Sequence, residues 1–110
     1  MIFDKVGNTS IITQEKASIV ELANKLSALY SKYQKDNIIV VITTLKNLRT
    51  EDILEFLQLS NQHRNNNHSF VIVTSKLDID DIPDEMVVVP TLQEAHDIIE
   101  MEEIERDLGL

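Results

Sequence analysis

An unbroken run of β-branched residues, Ile38–Ile42, constrains the fold more than any other feature of the sequence. β-Branched side chains favour the extended backbone of a strand. A strand with one solvated face alternates apolar and polar residues, whereas this run has no alternation and is typical of a strand buried on both faces. Together with Asn37, the run predicts a strand at the centre of a sheet.

Shorter segments on either side of this run predict the other strands and the helices. The pair Gly7-Asn8 between two apolar runs indicates a hairpin, because both residues tolerate a positive φ. Two capping boxes, Ser18–Glu21 and Thr91–Glu94, mark helix starts, and Thr50 is predicted to cap a further helix. The predicted strands are Ile2–Val6, Ser10–Thr13, Asn37–Ile42, Ser69–Thr74 and Met86–Val89.

The predicted element order is β-β-α-β-α-β-β-α, which belongs to the α/β class. Alternating strands and helices favour parallel neighbours with right-handed crossovers, and the opening hairpin adds an antiparallel edge. We expect a single domain, residues 1–110. In it, a mixed sheet of about five strands carries three main helices mostly on one face.

Charge is distributed unevenly along the chain. Residues 1–77 carry seven acidic and nine basic side chains, whereas residues 78–110 carry twelve acidic side chains against Arg106 alone. The acidic part repels a phosphate backbone, and no basic stripe with interleaved aromatic residues compensates, so we predict no nucleic-acid ligand. A basic protein surface is the natural partner, although an acidic helix that only keeps the domain soluble explains the same residues.

The acidic stretch from about residue 100 to residue 110 extends the last predicted helix. Its apolar residues Met101, Ile104 and Leu108 recur at helical spacing. We expect them to complete the core, and docking of a partner is the alternative.

Residues suited to catalysis or metal binding are scarce. The sequence has two glycines, too few for a phosphate-binding loop, and no cysteine. His63, His68 and His96 are scattered, and we expect the first two to be solvated loop residues. The acidic loop that ends at Glu85 lacks the central glycine of a calcium-binding loop. We therefore predict no catalytic residue, no metal and no cofactor.

The first residues of the chain lack the basic and apolar segments of a signal peptide. No apolar run approaches the ~20 residues that a membrane span needs. Together with the lack of cysteine, these features predict a cytoplasmic protein that does not bind a membrane.

Two stretches of the sequence each lead from a predicted strand into the helix that follows it. In the first, Ile38–Val40 precede the apolar residues Leu45 and Leu48, and Arg49–Asp52 then open a helix. In the second, Val88–Ala95 (VVPTLQEA) lead from the last strand through a Pro-Thr step into the last helix. Both stretches resemble the STAS (anti-sigma factor antagonist) family, which has an Asp-Ser-Ser-Gly motif at the place of Arg49–Asp52.

The resemblance implies a STAS-like fold and a regulatory function. Some members of this family are switched when a kinase-like anti-sigma factor phosphorylates a serine of the Asp-Ser-Ser-Gly motif. At that place only Thr50 has a hydroxyl, so the corresponding switch here is phosphorylation of Thr50. The expected N-cap role of Thr50 and the neighbouring carboxylates of Glu51 and Asp52 disfavour such a modification.

We therefore predict a non-catalytic protein–protein interaction module of STAS type that regulates a partner protein. The predicted partner-binding residues follow the central strand: Thr43, Thr44, Lys46, Asn47, Arg49, Thr50, Glu51 and Asp52. The alternative is a structural subunit or homodimeric assembly factor, associated with an RNA-processing enzyme such as ribonuclease Z but without nuclease activity of its own. The sequence lacks the His-x-His-x-Asp-His cluster with which such a nuclease holds its zinc ions.

Overall fold

The computed structural model describes residues 1–15, 18–43, 48–75, 77 and 79–109, which form a sheet of five strands with helices on both faces. The strands are β1 (Ile2–Val6), β2 (Thr9–Thr13), β3 (Asn37–Val41), β4 (Phe70–Val73) and β5 (Val87–Val89). The helices are α1 (Ile19–Ala28), α2 (Tyr30–Tyr33), α3 (Thr50–Leu54), α4 (Leu57–Asn65) and α5 (Leu92–Asp107), with a 3₁₀ turn at Ile79–Asp81. The predicted α/β class and five-stranded mixed sheet are confirmed.

The strands lie side by side in chain order, β1-β2-β3-β4-β5. β1 is antiparallel to β2, and each later pair is parallel. At the centre of the sheet, Ile39 of β3 pairs with Ile11 of β2 and Val71 of β4. Because β2 to β5 are parallel, their amino ends meet at one edge of the sheet and their carboxyl ends at the opposite edge.

The predicted hairpin between β1 and β2 is confirmed. Val6 pairs with Thr9 across the two-residue loop. Gly7 has a φ of 60°, whereas the φ of Asn8 is not positive. A positive φ at the first loop residue alone is the pattern of a type II′ turn, which favours glycine at that position.

The helices are divided between the two faces of the sheet. On one face, Ile38 and Val40 of β3 pack in a buried cluster with Leu22 and Leu26 of α1 and with residues of α4. On the other face, a second buried cluster joins the strands to α5: Ile11, Ile39, Val71, Val73, Ala95 and Ile99. The prediction that the three main helices lie mostly on one face is therefore wrong for the last helix. A β3 that is apolar on both faces needs cover on both, and α5 supplies the second layer.

Local sequence sets the starts of α1 and α5 as predicted. The Ser18 hydroxyl accepts a hydrogen bond from the Glu21 amide at 3.1 Å, and Thr91 accepts one from the Glu94 amide at 3.1 Å. These bonds satisfy amides that have no partner within the helix. α5 has 16 residues, and within the described ranges no helix is both long and apolar enough to cross a membrane.

α4 ends in a Schellman motif in which Asn67, with a φ of 64°, takes the place usually held by glycine. The His68 amide donates to the His63 carbonyl at 3.3 Å, and the Asn67 amide donates to the Arg64 carbonyl at 3.0 Å. The reversal of the chain brings the His68 ring onto that of His63, with ring centroids 5.2 Å apart.

Candidate partner-binding surface

The predicted partner-binding loop begins where β3 ends, at the carboxyl edge of the sheet. Ile42 is buried, and its amide donates to the Val73 carbonyl at 3.0 Å, which fixes the first part of the loop to β4. Thr43 follows and is half-buried. Three of the predicted residues lie outside the described part of the chain: Thr44, Lys46 and Asn47.

The helix after this loop starts one residue earlier than predicted. Arg49 is the N-cap, with an extended backbone (φ −122°, ψ 161°), and Thr50 is the first residue of α3. The Arg49 amide donates to Asp52 Oδ2 at 2.9 Å, which is the return bond of a capping box. The other bond of a capping box runs from the N3 amide to the side chain of the N-cap residue. The guanidinium of Arg49 cannot accept it, because it has no acceptor atom. The prediction of Thr50 as N-cap is therefore wrong, and capping does not engage its hydroxyl.

Two apolar residues hold the start of α3 on the core while Arg49 and Glu51 face solvent. Leu48 packs against the core, and Ile53 is fully buried. The Arg49 side chain is 72% exposed, and its Nη2 lies 3.9 Å from Oδ1 of Asp52. Glu51 is exposed. An ion pair as exposed as Arg49–Asp52 contributes little to stability, so the guanidinium remains available to another molecule.

Leu54, the last residue of α3, is an apolar residue that is 41% exposed. Glu51 and Leu54 are three positions apart, so their side chains share one helix face. We call Arg49, Glu51 and Leu54 the α3 surface. Leu54 was not among the predicted residues, because it neighbours Ile53, which is buried in the core. The signal that could have found it is an apolar residue standing off the core stripe that contains Ile53 and Phe56.

His63 of α4 is fully buried, so the prediction of a solvated loop residue is wrong. Its Nε2 lies 2.6 Å from the main-chain oxygen of Asp36, and its Nδ1 lies 2.7 Å from the Tyr30 hydroxyl. A carbonyl oxygen can only accept, so Nε2 carries the proton and Nδ1 accepts from Tyr30. Both nitrogens of the neutral ring are therefore satisfied. His63 is not in a loop, because α4 continues to Asn65, the first residue of the Asn-rich segment.

Burial lowers the pKa of His63 from 6.5 to about 4. Desolvation of the charged ring is the largest cause, the bond to Asp36 opposes it, and the positive charges of His68 and Arg64 lower the pKa further. At neutral pH His63 is an uncharged structural group that links α4 to the segment before β3.

A charged network ties the second half of α5 to the amino edge of the sheet. Arg64 of α4 binds both carboxylate oxygens of Glu102, at 3.2 and 2.6 Å. The Ser69 hydroxyl donates to Glu102 Oε1 at 2.6 Å and accepts from Arg106 at 3.2 Å. Asn37 at the start of β3 accepts from the Ser69 amide at 2.9 Å. We call these five residues the Glu102 network, and it fixes the rotation of α5 about its own axis.

The side chains that α5 turns to the sheet change from apolar to charged along the helix. In its first half Ala95 and Ile99 are buried against the strands. In its second half Glu102 and Arg106 point to the sheet and bind residues there. The apolar residues at this end of the helix are exposed: Met101 at 52%, Ile104 at 53% and Leu108 at 68%. The expectation that they complete the core is wrong, because charged residues occupy the sheet-facing positions.

In the part of the chain that the structure describes, no three histidine, aspartate or glutamate side chains come together as a metal site. No protein-family model matches the sequence, and no curated protein matches it as a relative.

Proposed function

We propose that this chain is a non-catalytic protein-binding module of the STAS type, working in the cytoplasm and regulating a partner protein through the α3 surface. The STAS assignment rests on the two stretches around Arg49–Asp52 and Val88–Ala95, and the mixed five-stranded sheet is compatible with it. The choice of surface rests on the exposure of residues at the start of α3.

The observation that carries the proposal is that the ordered start of α3 exposes a guanidinium and that its last residue exposes an apolar side chain. Leu54 is 41% exposed, and the side chain of Arg49 is 72% exposed. Arginine is enriched where proteins bind each other, and an apolar side chain gains most when a partner covers it. Ile53 and Leu48 fix the backbone beneath these residues to the core. A partner therefore meets a surface that is already ordered, which lowers the entropic cost of binding.

Arg49→Glu and Leu54→Ser test this proposal. Affinity purification from native lysate, followed by quantitative mass spectrometry, compares each variant with the unchanged chain. We expect each variant to recover about tenfold less of the partner, since residues at the centre of an interface contribute of order 1–2 kcal/mol or more. Lys25→Glu is the matched control, because it makes the same change of charge at an exposed position of α1. Equal recovery by Arg49→Glu and Lys25→Glu contradicts the proposal.

A second candidate is a homodimer, and the edge strand β1 favours it. The apolar residues of β1 are exposed: Ile2 at 52%, Phe3 at 42% and Val6 at 53%. An edge strand offers free main-chain groups to another strand. A homodimer through this edge fits the alternative predicted from the sequence, a structural subunit or assembly factor.

The charges of β1 disfavour this pairing. In a homodimer with its two-fold axis perpendicular to the sheet, the two copies of each residue point to the same face of the sheet. Residues that lie opposite each other in the strand pair are therefore both odd-numbered or both even-numbered. The symmetric antiparallel register that uses all of Ile2–Val6 sets Asp4 against its own copy. A register moved by one residue toward Val6 sets Lys5 against its own copy. Like charges directly opposite each other destabilise a strand pair.

Light scattering over a range of concentrations tests the homodimer. We expect a monomer for the unchanged chain, and Asp4→Thr should shift the distribution toward dimer by removing the repulsion. A dimer of the unchanged chain that Ile2→Lys disrupts would instead favour the second candidate.

A further inference from the structure

The outward side of the second half of α5 carries an apolar stripe that the proposed function does not use. Met101, Ile104 and Leu108 lie within about 60° of one another around the helix axis, at 3.6 residues per turn. Leu108 is the C-cap, has αR backbone angles and donates its amide to the Ile104 carbonyl at 3.1 Å, so it continues the helical surface. We call these three residues the α5 stripe.

The Glu102 network prevents α5 from rolling to bury this stripe. The guanidinium of Arg64 and the hydroxyl of Ser69 hold the Glu102 carboxylate on the sheet side. Asn8 in the hairpin donates to Glu103 Oε2 at 2.9 Å and adds a second tie. Turning the stripe inward would break these bonds and leave the partly buried guanidinium of Arg64 and the buried hydroxyl of Ser69 without their partner, which is costly. The exposure of the α5 stripe therefore follows from the packing of the whole helix.

Carboxylates border the α5 stripe on both sides. Glu100 and Asp107 lie on one side of it and Glu105 lies on the other, at about 100° per residue. All three are exposed. Arg106, the single cation of residues 78–110, is bound on the sheet side by Ser69 and does not compensate them. The outward side of the helix end thus combines an apolar seam with negative flanks.

We propose that the α5 stripe docks a basic amphipathic helix of a partner protein. The positions i, i+3 and i+7 are those through which one helix packs along another. Lysine or arginine beside the apolar seam of the partner complements Glu100, Glu105 and Asp107. A second copy of this chain would oppose carboxylates to carboxylates, and an anionic membrane would be repelled in the same way. This surface is independent of the α3 surface, so the module presents two docking sites.

A designed peptide serves as the probe. It has about three heptads, with leucine along one seam and lysine at the flanking positions, and carries a fluorescent label. Fluorescence anisotropy with the full chain measures its binding. A peptide with glutamate in place of the flanking lysines should bind about tenfold more weakly, because the charges then repel. A peptide with the same composition in scrambled order, which has no apolar seam, should also bind about tenfold more weakly.

Variants of the chain identify the surface that is used. Ile104→Ser and Met101→Ser should each weaken binding about tenfold, since each removes an anchor from the seam. Val20→Ser is the matched control, because Val20 on α1 is also exposed, at 48%, and lies off the stripe. Arg49→Glu should leave peptide binding unchanged, which separates this proposal from the α3 surface.

Several results would overturn the proposal. Equal binding of the scrambled peptide would mean that charge alone attracts it, and unchanged binding by Ile104→Ser would place the contact elsewhere. Self-association of the chain that Ile104→Ser abolishes, measured by analytical ultracentrifugation, would make a second copy the occupant instead of a basic helix.

Discussion

The Nδ1 atom of His63 lies 2.7 Å from the hydroxyl of Tyr30, a residue 33 positions away in the chain. The same ring donates from Nε2 to the carbonyl of Asp36 at 2.6 Å. One neutral imidazole therefore joins α4, α2 and the turn that leads into β3.

Acid should destabilise the protein through His63. Its pKa is about 4 in the folded chain and 6.5 when exposed, so the unfolded chain binds the additional proton more readily between these values. The contribution of neutral His63 to the free energy of unfolding is complete above about pH 6.5. It falls by roughly 3 kcal/mol as the pH drops toward 4, at 1.36 kcal/mol per pKa unit. Urea unfolding at several pH values measures the slope. His63→Gln should remove this part of the slope.

Loss of the Tyr30 hydroxyl should leave a buried nitrogen of His63 without a donor. We expect Tyr30→Phe to lower the free energy of unfolding by about 1–2 kcal/mol, the cost of an unsatisfied buried acceptor. Tyr33→Phe is the control, because the Tyr33 ring stacks on Phe3 and its hydroxyl has no hydrogen bond within the described part of the chain. Equal losses in the two variants, measured by urea unfolding, would show that the bond to His63 is not the cause.

Two buried serines should respond differently to the same substitution. Ser69 is fully buried and bonds both Glu102 and Arg106, so Ser69→Ala should cost about 2 kcal/mol. Ser60 is also fully buried, but among the described residues its hydroxyl has no hydrogen-bond partner. Ser60→Ala should therefore be neutral or stabilise the protein by about 0.5 kcal/mol, helped by the helix propensity of alanine. Calorimetric melting temperatures of both variants test the contrast.

Gly7→Ala should destabilise the β1–β2 hairpin through its backbone alone. An added Cβ meets no atom within 4 Å, so the cost arises from the φ of 60° and amounts to about 1–2 kcal/mol. Gly109→Ala is the control, because Gly109 also has a positive φ but lies at the end of α5, where fraying relieves the strain. Hydrogen exchange of the β1 amides should accelerate in the first variant only.

Patterns that depend on neighbouring residues could be read from the sequence. The apolar run in β3 sets the centre of the sheet, and the glycine at position 7 sets the hairpin. The capping residues Ser18 and Thr91 set two helix starts. Each of these choices is decided within a few residues by backbone sterics and local hydrogen bonds, so it does not need the rest of the fold. The run in β3 even implied a layer on each face, although the three main helices were predicted mostly on one.

Tertiary structure alone decided which side chains are buried. His63 lies next to an Asn-rich segment, a pattern that predicts a solvated turn. In the structure, Asp36 and Tyr30, which are distant in the sequence, form hydrogen bonds with both its nitrogens. The spacing of Met101, Ile104 and Leu108 suits a core helix, but Arg64 and Ser69 bind Glu102 and turn that side of α5 away from the sheet. Helical periodicity tells which residues share a face, whereas the direction of that face depends on partners that sequence spacing does not reveal.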